Sequence, residues 1–257
     1  METFHTADGA ELSYTEHGSR GDLPLLFLHG WNAASEVWEP IVERLAQNHR
    51  TIALDLRGFG SSNKAPGPFR VETFADDLSA LLMAAELDPL VVVGHSMGAA
   101  VAQRFAIDRP DAVEGLVLIA PVPAGGYDVS PKLDAMFRTL PGNPEAISAW
   151  LSRLTYREPP PEVRKLLRDV ASRVAPEVAL ESYESWSTLD FADEAATIAT
   201  PTLVVAPERD RPEFAREKVA DLIDGSDFEV LREAGHYAIL EQPERIARHI
   251  ERFVAKL

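Results

Sequence analysis

Short, almost purely apolar runs that alternate with helix-length amphipathic segments constrain this chain more than any other feature. Residues 12–15, 25–28, 51–54, 90–93, 116–119, 203–206 and 228–231 read as strands. Helical periodicity lies between or beyond them at 37–47, 71–87, 99–107, 213–222 and 243–255. A strand that is apolar on both sides has no face to give to water, so its sheet must be covered twice. The intervening segments are long enough to cross over and bring the next strand back in the same direction. The spacing therefore predicts an α/β protein with a mostly parallel, doubly wound sheet flanked by helices.

One region breaks the alternation. No strand is readable from 121 to 190, and 9 of the chain's 19 prolines fall there, cutting it into short helices. Ser130-Pro131 and Asn143-Pro144 each put a capping side chain before a proline suited to a first helical turn. Apolar residues follow at helical spacing. The first helix carries Leu133, Met136, Phe137 and Leu140, and the second Ile147, Trp150, Leu151 and Leu154. The third carries Val163, Leu166, Leu167, Val170 and Val174, and a less regular fourth Ala179, Tyr183 and Trp186. Such stripes are in the first place packing faces. An all-helical insert between strands must cover something, and the carboxyl ends of the strands, where α/β proteins bind ligands, are the expected target. The expected organisation is a core domain of 1–120 and 191–257 with a helical cap of 121–190.

Charge narrows the partners. Twenty-five basic residues against 41 acidic ones leave a formal charge of −16, which repels nucleic acid and anionic membrane surfaces, so neither is an expected partner. No stretch approaches the roughly 18 apolar residues of a membrane span. The start, Met1-Glu2-Thr3-Phe4-His5, lacks the features of a signal peptide, which makes a cytoplasmic location the expectation. There is no cysteine, hence no disulfide and no thiolate chemistry. Oligomeric state is left open.

The chemistry points to Gly94-His95-Ser96-Met97-Gly98, which follows the apolar run 90–93 and precedes the helical stretch at Ala99. A strand that turns sharply into a helix needs glycines on both sides of the bend, and the serine at its apex projects outward at a helix N-terminus. A G-x-S-x-G pentapeptide arises by chance in roughly one such chain in ten, so its placement carries the inference.

Further motifs accompany it in order. They are Leu28-His29-Gly30-Trp31, Asp55-Leu56-Arg57-Gly58-Phe59-Gly60-Ser61-Ser62, Thr200-Pro201-Thr202-Leu203-Val204-Val205 and Gly235-His236. The set resembles the α/β-hydrolase superfamily from about Leu25 to the C-terminus, outside the cap. The resemblance implies Ser96 as nucleophile, His236 as its base and Asp210 as the acid that orients the imidazole. It implies the backbone N–H groups of Trp31 and Met97 as donors to the oxyanion. The acid position departs from the usual pattern, because Pro207 stands where related sequences commonly have glycine. Glu208 therefore stays a rival to Asp210. The elbow residue His95 is variable in the motif and His29 belongs to the oxyanion loop. His5, His17, His49 and His249 lie outside any motif and read as solvated.

Superfamily members include esterases, lactonases, haloperoxidase-like enzymes, carbon-carbon bond hydrolases and hormone receptors. Ser96 excludes the aspartate nucleophile of dehalogenases and epoxide hydrolases. The reading is a serine hydrolase of a small to medium, largely apolar carboxylic ester. A lactonase, a carbon-carbon bond hydrolase with the same triad and a slow-turnover small-molecule receptor are its alternatives. Trp31, Trp150 and Trp186 are the aromatic candidates for the substrate pocket, Trp31 being equally readable as a packed side chain. No motif calls for a cofactor or a metal. Gly58-Phe59-Gly60-Ser61-Ser62-Asn63 lacks the last glycine of a dinucleotide fingerprint, and neither a P-loop nor H-E-x-x-H occurs.

Overall fold

Parallel pairing of buried strands organises the molecule, for which a computed structural model describes residues 1–19, 23–87 and 89–257. Among these residues one sheet has eight strands. They are β1 (Glu2–His5), β2 (Glu11–His17), β3 (Leu25–Leu28), β4 (Thr51–Leu54), β5 (Leu90–His95), β6 (Val113–Ile119), β7 (Thr202–Pro207) and β8 (Asp227–Leu231). Their order is β1-β2-β4-β3-β5-β6-β7-β8. β1 and β2 run antiparallel to their neighbours, and from β4 onward every pairing is parallel.

Alternate residues of each central strand feed two separate cores. Leu25 and Phe27 of β3 enter one layer and Leu26 and Leu28 the other. The same split divides Val91 and Val93 from Val92 in β5, and Val117 and Ile119 from Leu116 and Leu118 in β6. On the first face lie α1 (Glu39–Leu45), through Ile41 and Leu45, and α11 (Pro243–Val254), through Ile246, Ile250 and Phe253. On the second lie α2 (Val71–Ala85), through Phe74, Leu78 and Leu81, and α3 (Met97–Asp108), through Val101 and Phe105. Each such side chain contributes about 1.5–3 kcal/mol when fully buried, which is why the central strands tolerate no polar face.

Four helices leave this plan between β6 and β7: α4 (Pro131–Thr139), α5 (Pro144–Arg153), α6 (Pro161–Ser172) and α7 (Pro176–Ser187). Proline opens each of them, where its missing N–H costs nothing. Ser130 Oγ accepts the Leu133 N–H at 3.4 Å, and Asn143 Oδ1 accepts that of Ala146 at 3.0 Å. Phe137, Leu151, Leu167 and Tyr183 join the same core as α2 and α3, so the insert is a continuation of that layer. Shorter helices complete the chain: α8 (Ala192–Ala195), α9 (Pro212–Ala215) and α10 (Ala238–Glu241).

Two elements differ from the sequence pattern. β1 has no apolar run, because as an antiparallel edge strand it buries only Phe4. The helix expected over 213–222 ends at Ala215 and continues as a wider turn over Arg216–Ala220, where the Asp221 N–H reaches back five residues to the Arg216 carbonyl at 2.8 Å.

Behind the sheet's second face lies a buried ion pair. Arg57, 1% exposed, donates to both oxygens of Asp77 at 2.9 and 2.5 Å, to Asp8 at 2.7 Å and to the Pro66 carbonyl at 2.9 Å. The hydrogen bond to Asp77 holds the guanidinium above its ordinary pKa despite burial. A buried cation deprived of its partner cannot regain hydration, so Asp77→Ala is expected to destabilise the protein by about 3–5 kcal/mol in urea unfolding. A loss below about 1 kcal/mol would show that Asp8 alone compensates Arg57.

Candidate active site

The sheet order places two loops side by side. After β3 the chain departs toward β4, and it returns as β5 on the other side of β3, so the carboxyl ends of β3 and β5 border a crevice. Leu28 is in register with Gly94, and the segments that follow them face each other.

Ser96 occupies the bend between β5 and α3 with φ +55°, a conformation that residues with a Cβ rarely adopt. Three backbone bonds hold it there. The Ser96 N–H donates to the Ile119 carbonyl at 3.0 Å, and the Ser96 carbonyl accepts the N–H groups of Ala99 at 3.0 Å and Val122 at 3.1 Å. Glycine is required on both sides. A Cβ on Gly94 would lie 2.5 Å from the Gly98 carbonyl oxygen, and one on Gly98 would lie 2.4 Å from the Leu28 carbonyl oxygen.

Across the crevice the loop 29–31 approaches just as closely, since a Cβ on Gly30 would lie 3.1 Å from Ser96 Cβ. His29 fixes this loop from within. The Leu56 N–H donates to His29 Nε2 at 3.1 Å, which leaves Nδ1–H to donate to the Gly30 carbonyl at 2.8 Å. Burial lowers the His29 pKa and keeps the ring neutral, as this pattern requires. Asp55 supports the same region by accepting the N–H groups of Ser35 at 2.7 Å and Ser61 at 2.8 Å. Trp31 and Met97, whose N–H groups the sequence singles out, thus follow directly on the two close-packed turns. The Trp31 indole points to the insert, where Nε1–H donates to the Ala179 carbonyl of α7 at 2.8 Å.

Asp210 and His236 come from the loops after β7 and β8, which are tied together by the Glu208 N–H to Leu231 carbonyl bond at 2.9 Å and the Arg209 N–H to Ala234 carbonyl bond at 3.0 Å. His236 Nδ1–H donates to Asp210 Oδ2 at 2.7 Å, and the Ser96 hydroxyl donates to His236 Nε2 at 3.0 Å. Burial pushes the Asp210 carboxyl up, but the facing imidazole and its hydrogen bond prevail and hold it below the usual carboxylate range. Glu208 is engaged elsewhere, accepting from Arg232 at 3.0 Å and from the Glu233 N–H at 2.8 Å.

The sequence pattern does not reveal His95. Its ring is fully buried, 5.0 Å from the His236 ring, and Nε2–H donates to the His236 carbonyl at 2.8 Å. Burial depresses its pKa to about 3, so the ring stays neutral and the donor tautomer persists. A polar ring at the end of an otherwise apolar buried strand is the one sequence signal of this contact. His249, expected to be solvated, is instead 11% exposed in its side chain and paired with Glu229 at 2.6 Å.

Ser96, Asp210 and His236 line a cavity of about 290 Å³ together with Trp31, Val122, Leu133, Phe137, Trp150, Leu151 and Trp186. All three tryptophans singled out in the sequence reach it. Tyr127 and Arg211 also line it, with the guanidinium 5.5 Å above the Tyr127 ring. The geometry can transfer a proton from the hydroxyl through the imidazole, and its surroundings favour an apolar group beside the hydroxyl. Among the described residues no helix is long and apolar enough to cross a membrane.

Known proteins share this architecture. The AB hydrolase superfamily protein YisY of Bacillus subtilis (strain 168) is 28% identical over 244 residues, which cover 90% of this chain and 91% of that protein. The solved structure of a thermophilic esterase from Thermogutta terrifontis, malate bound, matches with a TM-score of 0.86 at 28% identity, over 99% of this chain and 98% of that one. The enol-lactonase from Burkholderia xenovorans LB400 matches with a TM-score of 0.87 over 99% of this chain and 100% of that one, and at 24% identity the likeness is one of fold. Residues 25–249 match the profile of the Alpha/beta hydrolase family, and the chain belongs to that family.

Proposed function

We propose that this protein is a serine esterase that hydrolyses small to medium, largely apolar carboxylic esters. The observation that carries the reading is the continuous line Asp210–His236–Ser96, with distances of 2.7 and 3.0 Å, opening into an aromatic cavity. His236 Nε2 takes the Ser96 proton as Oγ bonds to the ester carbonyl carbon, and the carbonyl electrons move onto oxygen. The Met97 and Trp31 N–H groups receive that oxyanion. Collapse expels the alcohol, which leaves with the proton from His236, and an acyl-serine stays behind. Water, deprotonated by His236, then releases the acid. Asp210 fixes the imidazole tautomer and balances the transient imidazolium.

The cavity supports the size of the substrate. At about 290 Å³ it lies at the lower edge of the roughly 300–1,000 Å³ usual for ligand pockets, which favours short and medium acyl chains. We read the insert as a cap that provides most of the apolar wall. The partner is a small molecule, consistent with the charge of −16, which disfavours nucleic acid and anionic membranes alike.

A panel of p-nitrophenyl esters of increasing acyl length, run beside lactones and vinylogous diketones, tests the reaction class. Many turnovers per second are expected on the shorter esters, and sluggish turnover on all of them would favour a receptor. Ser96→Ala is expected to cut turnover by several orders of magnitude without unfolding the protein, and more than a few per cent residual activity would remove Ser96 from the chemistry. Asp210→Asn should cost on the order of ten-thousandfold in kcat, whereas Glu208→Gln should leave the rate close to wild type. A reversal of the two would reassign the acid.

The two cap tryptophans should behave differently. Trp186 is 7% exposed and meets Trp31, Tyr127, Phe137 and Tyr183 with ring centroids 5.2–6.3 Å away, so Trp186→Ala is expected to cost about 3–5 kcal/mol of stability. Trp150 is half-buried and meets Phe137 at 5.7 Å. Trp150→Ala should chiefly change the ratio of rates on long and short esters, by about 1–3 kcal/mol per lost methylene contact. Melting temperature and acyl selectivity, measured together, check both. Unchanged selectivity in both variants would move specificity to Trp31.

A further inference from the structure

Besides the contacts that Val122, Tyr127 and Ala179 make with the site, the insert meets the loops of Asp210 and His236 through its backbone after α5. At the end of α5, the Leu154 carbonyl accepts the His236 N–H at 2.8 Å. Gly235 lies so close that a Cβ there would sit 2.2 Å from the Leu154 carbonyl oxygen and 2.6 Å from Tyr156 N. From the Asp210 side, the Arg209 guanidinium donates to the carbonyls of Tyr156 at 2.7 Å and Thr155 at 3.4 Å. One carboxylate completes the junction. Glu241, at the end of α10, accepts the Tyr156 N–H on one oxygen at 2.6 Å and the Gly235 N–H on the other at 3.0 Å.

We propose that Glu241 is a positioning residue: by holding Gly235 and Tyr156 at once, it makes the alignment of His236 depend on the seating of the insert. The proposal rests on the triad reading above. His236 is suspended from three sides. Asp210 holds its ring, His95 its carbonyl, and the Leu154 carbonyl its N–H. Glu241 fixes the residue before it. The Leu154 carbonyl can hold the His236 N–H only where the turn 154–157 is kept in place; Thr155 braces the turn from within by donating to the Ser152 and Arg157 carbonyls at 2.7 Å, and Glu241 and Arg209 tie it to the catalytic loops. Burial raises the Glu241 carboxyl above its usual value, whereas the N–H groups of Tyr156, Gly235 and Arg157 favour the charged acceptor.

An amide cannot replace this carboxylate. It has one acceptor oxygen, and its NH₂ group would face a backbone N–H, donor against donor. The nucleophile, the acid and the cavity wall would be untouched. The expected defect is therefore one of geometry at His236. Misplacement of a catalytic group by about 1 Å costs on the order of 100-fold, so a partial loss of alignment should cost about 10- to 100-fold in kcat.

The test compares wild type, Glu241→Gln, Arg209→Met and Ser96→Ala on one short p-nitrophenyl ester. It also follows unfolding by circular dichroism and the rate at which a neutral fluorophosphonate labels Ser96. For Glu241→Gln, kcat and the labelling rate should fall together by about 10- to 100-fold while KM stays within about twofold and the variant remains folded. Arg209→Met should lower kcat several-fold with KM unchanged. A folded Glu241→Gln with wild-type kcat overturns the proposal, as does a rise in KM at constant kcat or a loss of activity that tracks the unfolded fraction. If Glu241→Gln does not fold, the exposed Arg209→Met decides, and an unchanged kcat overturns the proposal. Ser96→Ala separates the two levels. Activity equal to wild type in Ser96→Ala would overturn the triad itself, whereas an inactive Ser96→Ala beside a fully active Glu241→Gln overturns the positioning role alone.

Discussion

Backbone contact at Gly30, Gly94 and Gly98 is the constraint from which the rest of the site follows. At these three positions the ends of β3 and β5 and the start of α3 approach so closely that a single Cβ would meet neighbouring atoms at 3.1, 2.5 and 2.4 Å. For Gly94 and Gly98 the obstacle is backbone, which cannot swing aside. Any side chain there would push α3 away from β3 and carry Met97 and Ser96 with it. The closeness depends in turn on strand register. A slip of one residue between β3 and β5 would separate Gly30 from Ser96 and turn Leu26 and Leu28 into the wrong core. Hydrophobic sorting of the strands and placement of the hydroxyl are thus one and the same requirement.

Around this contact the chain buries polar groups that stability alone would not select. His29, Asp55, Arg57 and His95 are all at most 1% exposed, and each is engaged with the backbone or with an opposite charge. Burial of such groups costs free energy that hydrogen bonds offset only in part. Their partners show what they hold in return. His29 stiffens the loop that carries Trp31, Asp55 ties it to the turn at Ser61, and His95 grips the His236 carbonyl. The site is supported by neutral rings and satisfied carboxylates, with little freedom to rotate.

The parts legible in the sequence are those whose physics is local. Apolar runs show the central parallel strands because both of their faces are buried. The first two proline-led helices of the insert show themselves because Ser130 and Asn143 stand as capping residues before Pro131 and Pro144. Ser96 stands out because its bend needs glycines two residues away on each side. What stays hidden depends on the fold. β1 pairs by backbone alone and buries only Phe4. His95 occupies a position that the motif leaves free, and its partner lies 141 residues away. No motif in the sequence marks Glu241, since the N–H group it holds at Tyr156 lies 85 residues upstream. Asp210 and Glu208 cannot be told apart by spacing, because the direction in which each carboxylate leaves a proline-flanked loop is set by packing.

The position of the insert has an evolutionary corollary. β6 and β7 are adjacent parallel strands, with Ile119 paired to Val205, yet the whole of 120–201 intervenes between them. Closing so long a loop is an entropic expense that grows only logarithmically, by about 0.6 kcal/mol for each doubling of length. Strand pairing is therefore nearly indifferent to how much chain is placed here. Helices can be lengthened, exchanged or added at this point while the sheet keeps its register, so the walls of the cavity can diverge far faster than its floor. The turn 154–157 lacks that freedom, because it must keep its grip on the loops of Asp210 and His236 whatever surrounds it.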